Sequence, residues 1–214
     1  MEQLINIQRP ASGEPEGLLV LHHGRGSDEN DLIGIADQFD PDQRLHVVSP
    51  RAPLTLDGWP GNHWYIVPRV GHPDPASFAI AYQQLCDFHE HLWQETGIAP
   101  DRTILGGFSM GSVMSLATGL GDQRPVVAGI LGLSGFIPTV DGWQPNFAER
   151  TATSVLIAHG TDDPVISIEF ARAAKDLIEA SDLELEYHEA AGGHQINPNQ
   201  LPLIVDWIDR TLPR

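Results

Sequence analysis

The stretch RTILGGFSMGSVMSLATGLG, residues 102–121, decides the fold. Its first part, Arg102–Phe108, is a short apolar run that reads as a buried strand. Its last part, Met110–Leu120, places Met110, Val113, Met114, Ala117 and Leu120 on one helical face, and Gly121 stops the helix. Between the two stands Gly107-Phe108-Ser109-Met110-Gly111, a G-x-S-x-G pattern. The bare pentapeptide is common by chance. A strand running straight in and a helix running straight out make it a sharp elbow that lifts a serine above the end of a sheet. A side chain at 107 or 111 would collide with neighbouring backbone in so tight a turn, which accounts for glycine at both positions. The Ser109 hydroxyl then faces the free N–H groups of the helix's first turn.

Working outward, apolar runs alternate with amphipathic ones along the chain. Strands are predicted at Gly17–His22, Leu45–Ser49, Val126–Leu133, Ser154–Ala158 and Leu183–His188. Helices are predicted at Asp28–Phe39 (with Ser27 or Asp28 as cap), Asp74–Gly97, Ser167–Ala180 and Leu201–Leu212. Residues 51–75 are rich in Pro, Gly and aromatics without periodicity and read as a long loop, as does Gly135–Ala152. Short Val/Ile/Leu strands alternating with helices predict an α/β fold, a mostly parallel sheet with helices on both faces. No insertion is long enough for a substantial lid, and no linker divides the chain, so residues 1–214 are expected to form one domain.

Composition narrows the function. The 214 residues hold 29 acidic and 12 basic side chains, a net charge of −17. A polyanion would be repelled, which argues against nucleic acid and against stable association with an anionic membrane. Cys86 is the single cysteine, so no internal disulfide forms, and a cytoplasmic location is expected. The start, Met1-Glu2-Gln3-Leu4-Ile5-Asn6, has neither the basic nor the apolar region of a secretory leader. No pattern for metal ligands, a P-loop or a dinucleotide fold stands out, so no cofactor is expected.

A serine needs a base, and the base needs a group to orient it. In this architecture the chain order is Ser, then Asp or Glu, then His. Downstream of Ser109, one predicted strand ends in His159-Gly160-Thr161-Asp162-Asp163-Pro164, and the last in Ala191-Gly192-Gly193-His194-Gln195. Asp162 and Asp163 compete for the acid. Pro164 fixes the turn just after Asp163 and favours it, leaving Asp162 as a turn or capping residue. Of the ten histidines, His194 alone follows the last strand on a glycine-flanked loop able to reach the elbow. An oxyanion hole needs two N–H donors. The Met110 amide follows the nucleophile, and the Arg25 amide lies between Gly24 and Gly26 after the first core strand; the Arg25 side chain itself is free to meet solvent or Asp28.

Together HHGRGSDENDL (22–32), GGFSMGSVMSL (106–116), LSGFIP (133–138), HGTDDPVI (159–166) and GGHQI (192–196) resemble the small α/β-hydrolase esterases of the phospholipase/carboxylesterase family, which includes acyl-protein thioesterases. The resemblance covers nearly the whole chain. It implies a cofactor-free serine esterase with Ser109, Asp163 and His194 as triad and the Arg25 and Met110 amides as oxyanion hole. One segment departs from the thioesterases: Gly58–Asp74, with Trp59, Trp64 and Tyr65. That departure favours a small carboxylic ester over an acylated protein. Trp64, Tyr65, Phe136 and Ile166 are the candidates to line the acyl pocket. An acyl thioesterase or lysophospholipase would use the same machinery, and a non-catalytic binding protein is the rival of another class. A monomer or weak homodimer acting on a small-molecule ester is the expected form.

Overall fold

The computed structural model describes residues 3–214. Met1 and Glu2, part of the stretch read above for a leader, lie outside the described residues. In chain order the elements are β1 (Asn6–Arg9), β2 (Leu18–His22), α1 (Asn30–Ile33), α2 (Ala36–Phe39), β3 (His46–Pro50), α3 (Pro75–Thr96), β4 (Thr103–Phe108), α4 (Met110–Leu120), β5 (Gly129–Leu133), β6 (Ser154–Gly160), α5 (Ile168–Glu179), β7 (Glu184–Ala190) and α6 (Leu201–Thr211). The strands form one seven-stranded sheet in the order β1-β3-β2-β4-β5-β6-β7. All neighbours run parallel except β1, which lies antiparallel to β3. The expected mostly parallel α/β sheet is borne out.

Alternation along each strand builds a core on each face. Leu18, Val20, Leu105, Ile130 and Val155 point to the face covered by α3, α4 and α5. Leu19, Leu21, Ile104, Leu131 and Leu156 point to the face covered by α1, α2 and α6. Helix α4 is buried all round, from Met110 to Leu120. Helix α3 shows why its ends fall where they do: the Asp74 carboxylate accepts the Ser77 amide at 2.9 Å, Pro75 opens the first turn, and Gly97 closes it at φ +70°. No helix of the described residues is long and apolar enough to cross a membrane.

Several boundaries shift by one or two residues, and three differences from the sequence reading are larger. The helix expected over Asp28–Phe39 is two single turns separated at Gly34 and Ile35. Asp28 still accepts the Asn30 amide at 2.9 Å. A mid-segment glycine flanked by Ile33 and Ile35 lowers helix propensity enough for sheet packing to win. Strand β1 was not legible: four edge residues, three half-buried and Gln8 exposed, carry too little alternation. The strand expected from Val126 begins only at Gly129.

Behind β2 and α4 lies a buried chain of polar groups. The Ser115 hydroxyl donates to the Gly111 carbonyl at 2.9 Å, so its oxygen accepts from His22 Nδ1, 2.8 Å away. The other His22 nitrogen is left to accept from His89 Nε2 at 3.1 Å. Both rings are wholly enclosed and fit only as neutral imidazoles. Burial, reinforced by the neighbouring His23, drives the His22 pKa from 6.5 down to about 3, and burial lowers that of His89 as well. Below pH 6.5 the unfolded chain takes up protons that the folded chain refuses. Stability should therefore be complete above that pH and fall as pH drops toward 3, by up to ~1.4 kcal/mol per pH unit for each such histidine. The urea midpoint is expected to be clearly lower at pH 5 than at pH 7.5, and His89→Gln should flatten that slope. An equal slope in the variant would show that the pair does not carry it.

Candidate active site

The elbow is built by close approach of backbones. A Cβ on Gly111 would overlap the His22 carbonyl, and one on Gly107 would meet Gly111 and the same carbonyl. Ser109 itself sits at φ +55°, ψ −119°, outside the regions L residues favour, and its N–H donates to the Leu133 carbonyl at 2.8 Å. The strand hydrogen bonds on one side and the fully buried α4 on the other hold it there.

Strands β6 and β7 are parallel neighbours, with Gly160 registered against Ala190. Their outgoing loops therefore lie side by side. Gly160 touches the Gly192 and Gly193 carbonyls so closely that no Cβ fits. Asp162 ties the loops together: its N–H donates to the Gly192 carbonyl at 3.0 Å, and its exposed carboxylate accepts the Gly192 amide at 3.3 Å. Asp163 points inward. One of its oxygens accepts the Val165 and Ile166 amides at 2.8 and 2.9 Å, and the other accepts from His194 Nδ1 at 2.7 Å. His194 Nε2 lies 2.8 Å from Ser109 Oγ. Burial opposes ionisation of Asp163, but the bonds from His194, Ile166 and Val165 outweigh it and hold the carboxyl below its ordinary range. Such a chain can draw the hydroxyl proton onto a correctly oriented imidazole and stabilise the imidazolium that forms.

The loop after β2 closes the other side. Gly24 abuts Phe108 and Ser109, and neither the Arg25 nor the Met110 amide donates to another backbone group among the described residues. His23 organises this loop. Its Nε2 accepts the Ala52 amide at 3.0 Å, which leaves Nδ1–H to donate to the Gly24 carbonyl at 2.7 Å. Since the C=O and N–H of one trans peptide point opposite ways, holding the Gly24 carbonyl aims the Arg25 N–H away from His23. Beside Ser109 and Met110 lies a cavity of about 90 Å³, lined among others by Arg25, Tyr65, Phe136 and Ile166.

Trp64 requires a correction. It was expected in the acyl pocket, yet it is wholly buried and absent from that lining. Its indole N–H donates to the His23 carbonyl at 2.9 Å, its ring lies 5.3 Å from that of His23, and its backbone N–H reaches Met110 Sδ at 3.2 Å. It is a support beneath the loop after β2. Sequence reading missed one further support, Phe108, whose ring packs on that of His194 at 4.9 Å. His159, a strand-end histidine next to glycine and so placed to orient a loop, donates to the Ile166 carbonyl at 2.8 Å beneath the Asp163 turn. The signal for Phe108 was adjacency to Ser109, but only the folded chain shows which ring meets which.

The comparisons with known proteins bear on the family and the fold. The phospholipase/carboxylesterase family model matches residues 4–212. Acyl-protein thioesterase 1 of Yarrowia lipolytica is 27% identical over 221 residues, covering 96% of each chain. The crystal structure of esterase PE8 superposes with a TM-score of 0.82 at 30% identity, covering 99% of this chain and 100% of that one. A Bacillus cereus carboxylesterase shares the fold, with a TM-score of 0.83 at 22% identity over 97% of this chain and 94% of its own. The chain belongs to the phospholipase/carboxylesterase family, a family of ester-bond hydrolases.

The two adjacent acids should separate cleanly. Asp163→Asn removes the acceptor that orients His194 and should lower kcat by at least about 10³. Asp162→Asn loosens a loop brace only and should cost less than about tenfold. Steady-state kinetics on an activated ester check both, and a reversed order would assign the acid to Asp162.

Proposed function

We propose that this protein is a serine carboxylesterase that hydrolyses small carboxylic esters through an acyl-enzyme on Ser109. The observation that carries the reading is the unbroken sequence of hydrogen bonds Asp163–His194–Ser109, at 2.7 and 2.8 Å, at the mouth of a small apolar cavity. In this mechanism His194 takes the Ser109 proton as Oγ attacks the acyl carbonyl. The Arg25 and Met110 amides receive the developing oxyanion. His194 then gives its proton to the leaving alcohol, and water, activated by the same imidazole, releases the acid. Every step uses this chain's own side chains and amides. The proposal includes one catalytic domain over residues 1–214, supported by the continuous sheet and the family match over 4–212, and a cytoplasmic location, supported by the single, buried thiol of Cys86.

The same machinery would accept a thioester, and the thioesterase name of relatives such as that of Yarrowia lipolytica favours testing it. What supports short substrates is space. A cavity of about 90 Å³ holds roughly three water volumes. It is bounded by Tyr65 and Phe136, both buried, and Phe136 is backed by Phe170 at 5.3 Å.

Ser109→Ala or His194→Ala should each lower kcat on an activated ester by roughly 10⁴–10⁶ with the fold intact, as groups acting as one unit do. A fluorophosphonate should label Ser109 in the unaltered protein. Folded variants within tenfold of the parent, or an unlabelled serine, would leave a binding protein as the better reading.

Chain length is the second test. Each methylene that finds no pocket forfeits up to about 0.8 kcal/mol of burial. On a matched series of oxygen esters and thioesters, kcat/KM should peak at a short or medium acyl length and then level or fall. Tyr65→Ala or Phe136→Ala should move the peak toward longer chains. Trp64→Ala should instead lower stability by about 3–5 kcal/mol without lengthening the preferred chain. A steady rise to palmitoyl substrates below micelle formation would select the thioesterase or lysophospholipase reading.

A further inference from the structure

The positive charge of this protein is scarce and almost wholly committed. Against 29 acidic residues stand one lysine and eleven arginines. Arg9, Arg44, Arg51, Arg124, Arg172, Arg210 and Arg214 each pair with a carboxylate. Arg102 and Arg150 are taken up by main-chain carbonyls of Glu16, Pro213 and Gly121. Lys175 pairs with Glu179. Among the described residues, two arginines have no side-chain hydrogen bond and no ion pair: Arg25 and Arg69. Both line the cavity beside Ser109.

Both side chains are exposed, and each is carried on a backbone that is held in place. The Arg25 guanidinium stacks 4.1 Å over the Trp59 ring, which leaves its N–H edge free. Trp59 is held there because Gly26 and Asn62 are hydrogen-bonded at 2.9 Å and Gly61 presses on the Gly26 carbonyl with no room for a Cβ. Arg69 opens a tight turn, His72 N–H to Arg69 carbonyl at 3.0 Å, and Gly71 at the turn (φ +86°) abuts the Phe170 ring of α5. On a chain with a net charge of −17, Arg25 and Arg69 stand apart from the nine arginines that are taken up by carboxylates or main-chain carbonyls. Two guanidiniums without a partner among the described residues, one stacked on Trp59 and one carried on a fixed turn, over one apolar cavity suit an anion that arrives with the substrate.

We propose that Arg25 and Arg69 select esters carrying a carboxylate close to the scissile bond, so that the substrate is a small anionic ester. This rests on the esterase reading above and names its substrate class. The surface charge as a whole would repel such a molecule, and the apolar lining would favour an uncharged isostere. The proposal therefore reverses the preference expected from either feature alone.

Hydrolysis followed by pH-stat on two isosteric pairs tests it. Monoethyl succinate against ethyl 4-methylpentanoate places the carboxylate on the acyl side. Carboxymethyl butyrate against isobutyl butyrate places it on the alcohol side. In at least one pair, kcat/KM for the anionic member should exceed its isostere by about tenfold or more at low ionic strength, and the advantage should shrink with added salt. Arg69→Gln should bring that ratio to about one or below, and Arg69→Lys should keep part of it. Since Arg69 is exposed, the melting temperature should be unchanged and a misfolded variant recognisable. Preference for the neutral member in both pairs, or equal loss on both members in Arg69→Gln, would overturn the proposal while Ser109-dependent hydrolysis of the neutral esters left the esterase reading standing. Failure to hydrolyse any of the four, or hydrolysis that survives Ser109→Ala, would bring down the esterase reading and this inference with it.

Discussion

The structure depends on one steric constraint, the contact between the G-x-S-x-G turn and the end of β2. Gly111 and Gly107 lie so close to the His22 carbonyl that neither could carry a side chain. This contact fixes the direction in which α4 leaves the sheet and holds Ser109 at positive φ, a conformation that costs on the order of 1–3 kcal/mol. The burial of α4 along its whole length offsets that cost. It also locks the elbow to the loop after β2, because His22 and His23 are the residues through which that loop leaves the strand. His22 is anchored from behind by Ser115 and His89, and His23 by Ala52 and Gly24. The proposed nucleophile and the proposed oxyanion donors are thus parts of one rigid contact.

A second pair of loops completes the site by the same logic. Parallel strands deliver their outgoing loops to one edge of the sheet, so the acid after β6 and the imidazole after β7 begin as neighbours. Gly160 lets them touch, Asp162 fastens them, and the Val165 and Ile166 amides turn the Asp163 carboxylate toward His194. Three hydrogen bonds to one carboxylate, from Val165, Ile166 and His194, favour its ionised form despite burial. An ionised acid is the partner an imidazole needs when it takes up a proton.

The irregular segment over residues 51–75 divides its aromatic residues between two roles. Trp64 goes inward and supports the His22–His23 turn, whereas Tyr65 faces the cavity and Trp59 stays at the surface under Arg25. A loop without regular structure is held this firmly because it is pinned at intervals by short bridges, Ser27 to Asn62, Leu54 to His63 and Arg69 to His72. Substrate selectivity, on the proposed reading, is set by this segment and not by the sheet.

The sequence by itself determined the parallel α/β sheet, the elbow and the order of the three proposed catalytic side chains. These are encoded locally: an apolar run, a pair of glycines and a helical face sit within twenty residues, and strand ends mark where Asp163 and His194 must lie. Even the preference for Asp163 over Asp162 as the proposed acid had a local signal, because Pro164 shapes the turn that hydrogen-bonds Asp163. The edge strand Asn6–Arg9 and the break at Gly34 were not, since both are settled by packing against β3 and the sheet rather than by local pattern. Tertiary structure alone decided which way Trp64 and Tyr65 point. Adjacent residues in an aperiodic loop carry no alternation that a reader can phase, and one went to the core and the other to the cavity. It alone also showed that Arg25 and Arg69 have no partner among the described residues. Charge balance in a sequence is a sum, whereas an ion pair is a distance between residues far apart in the chain.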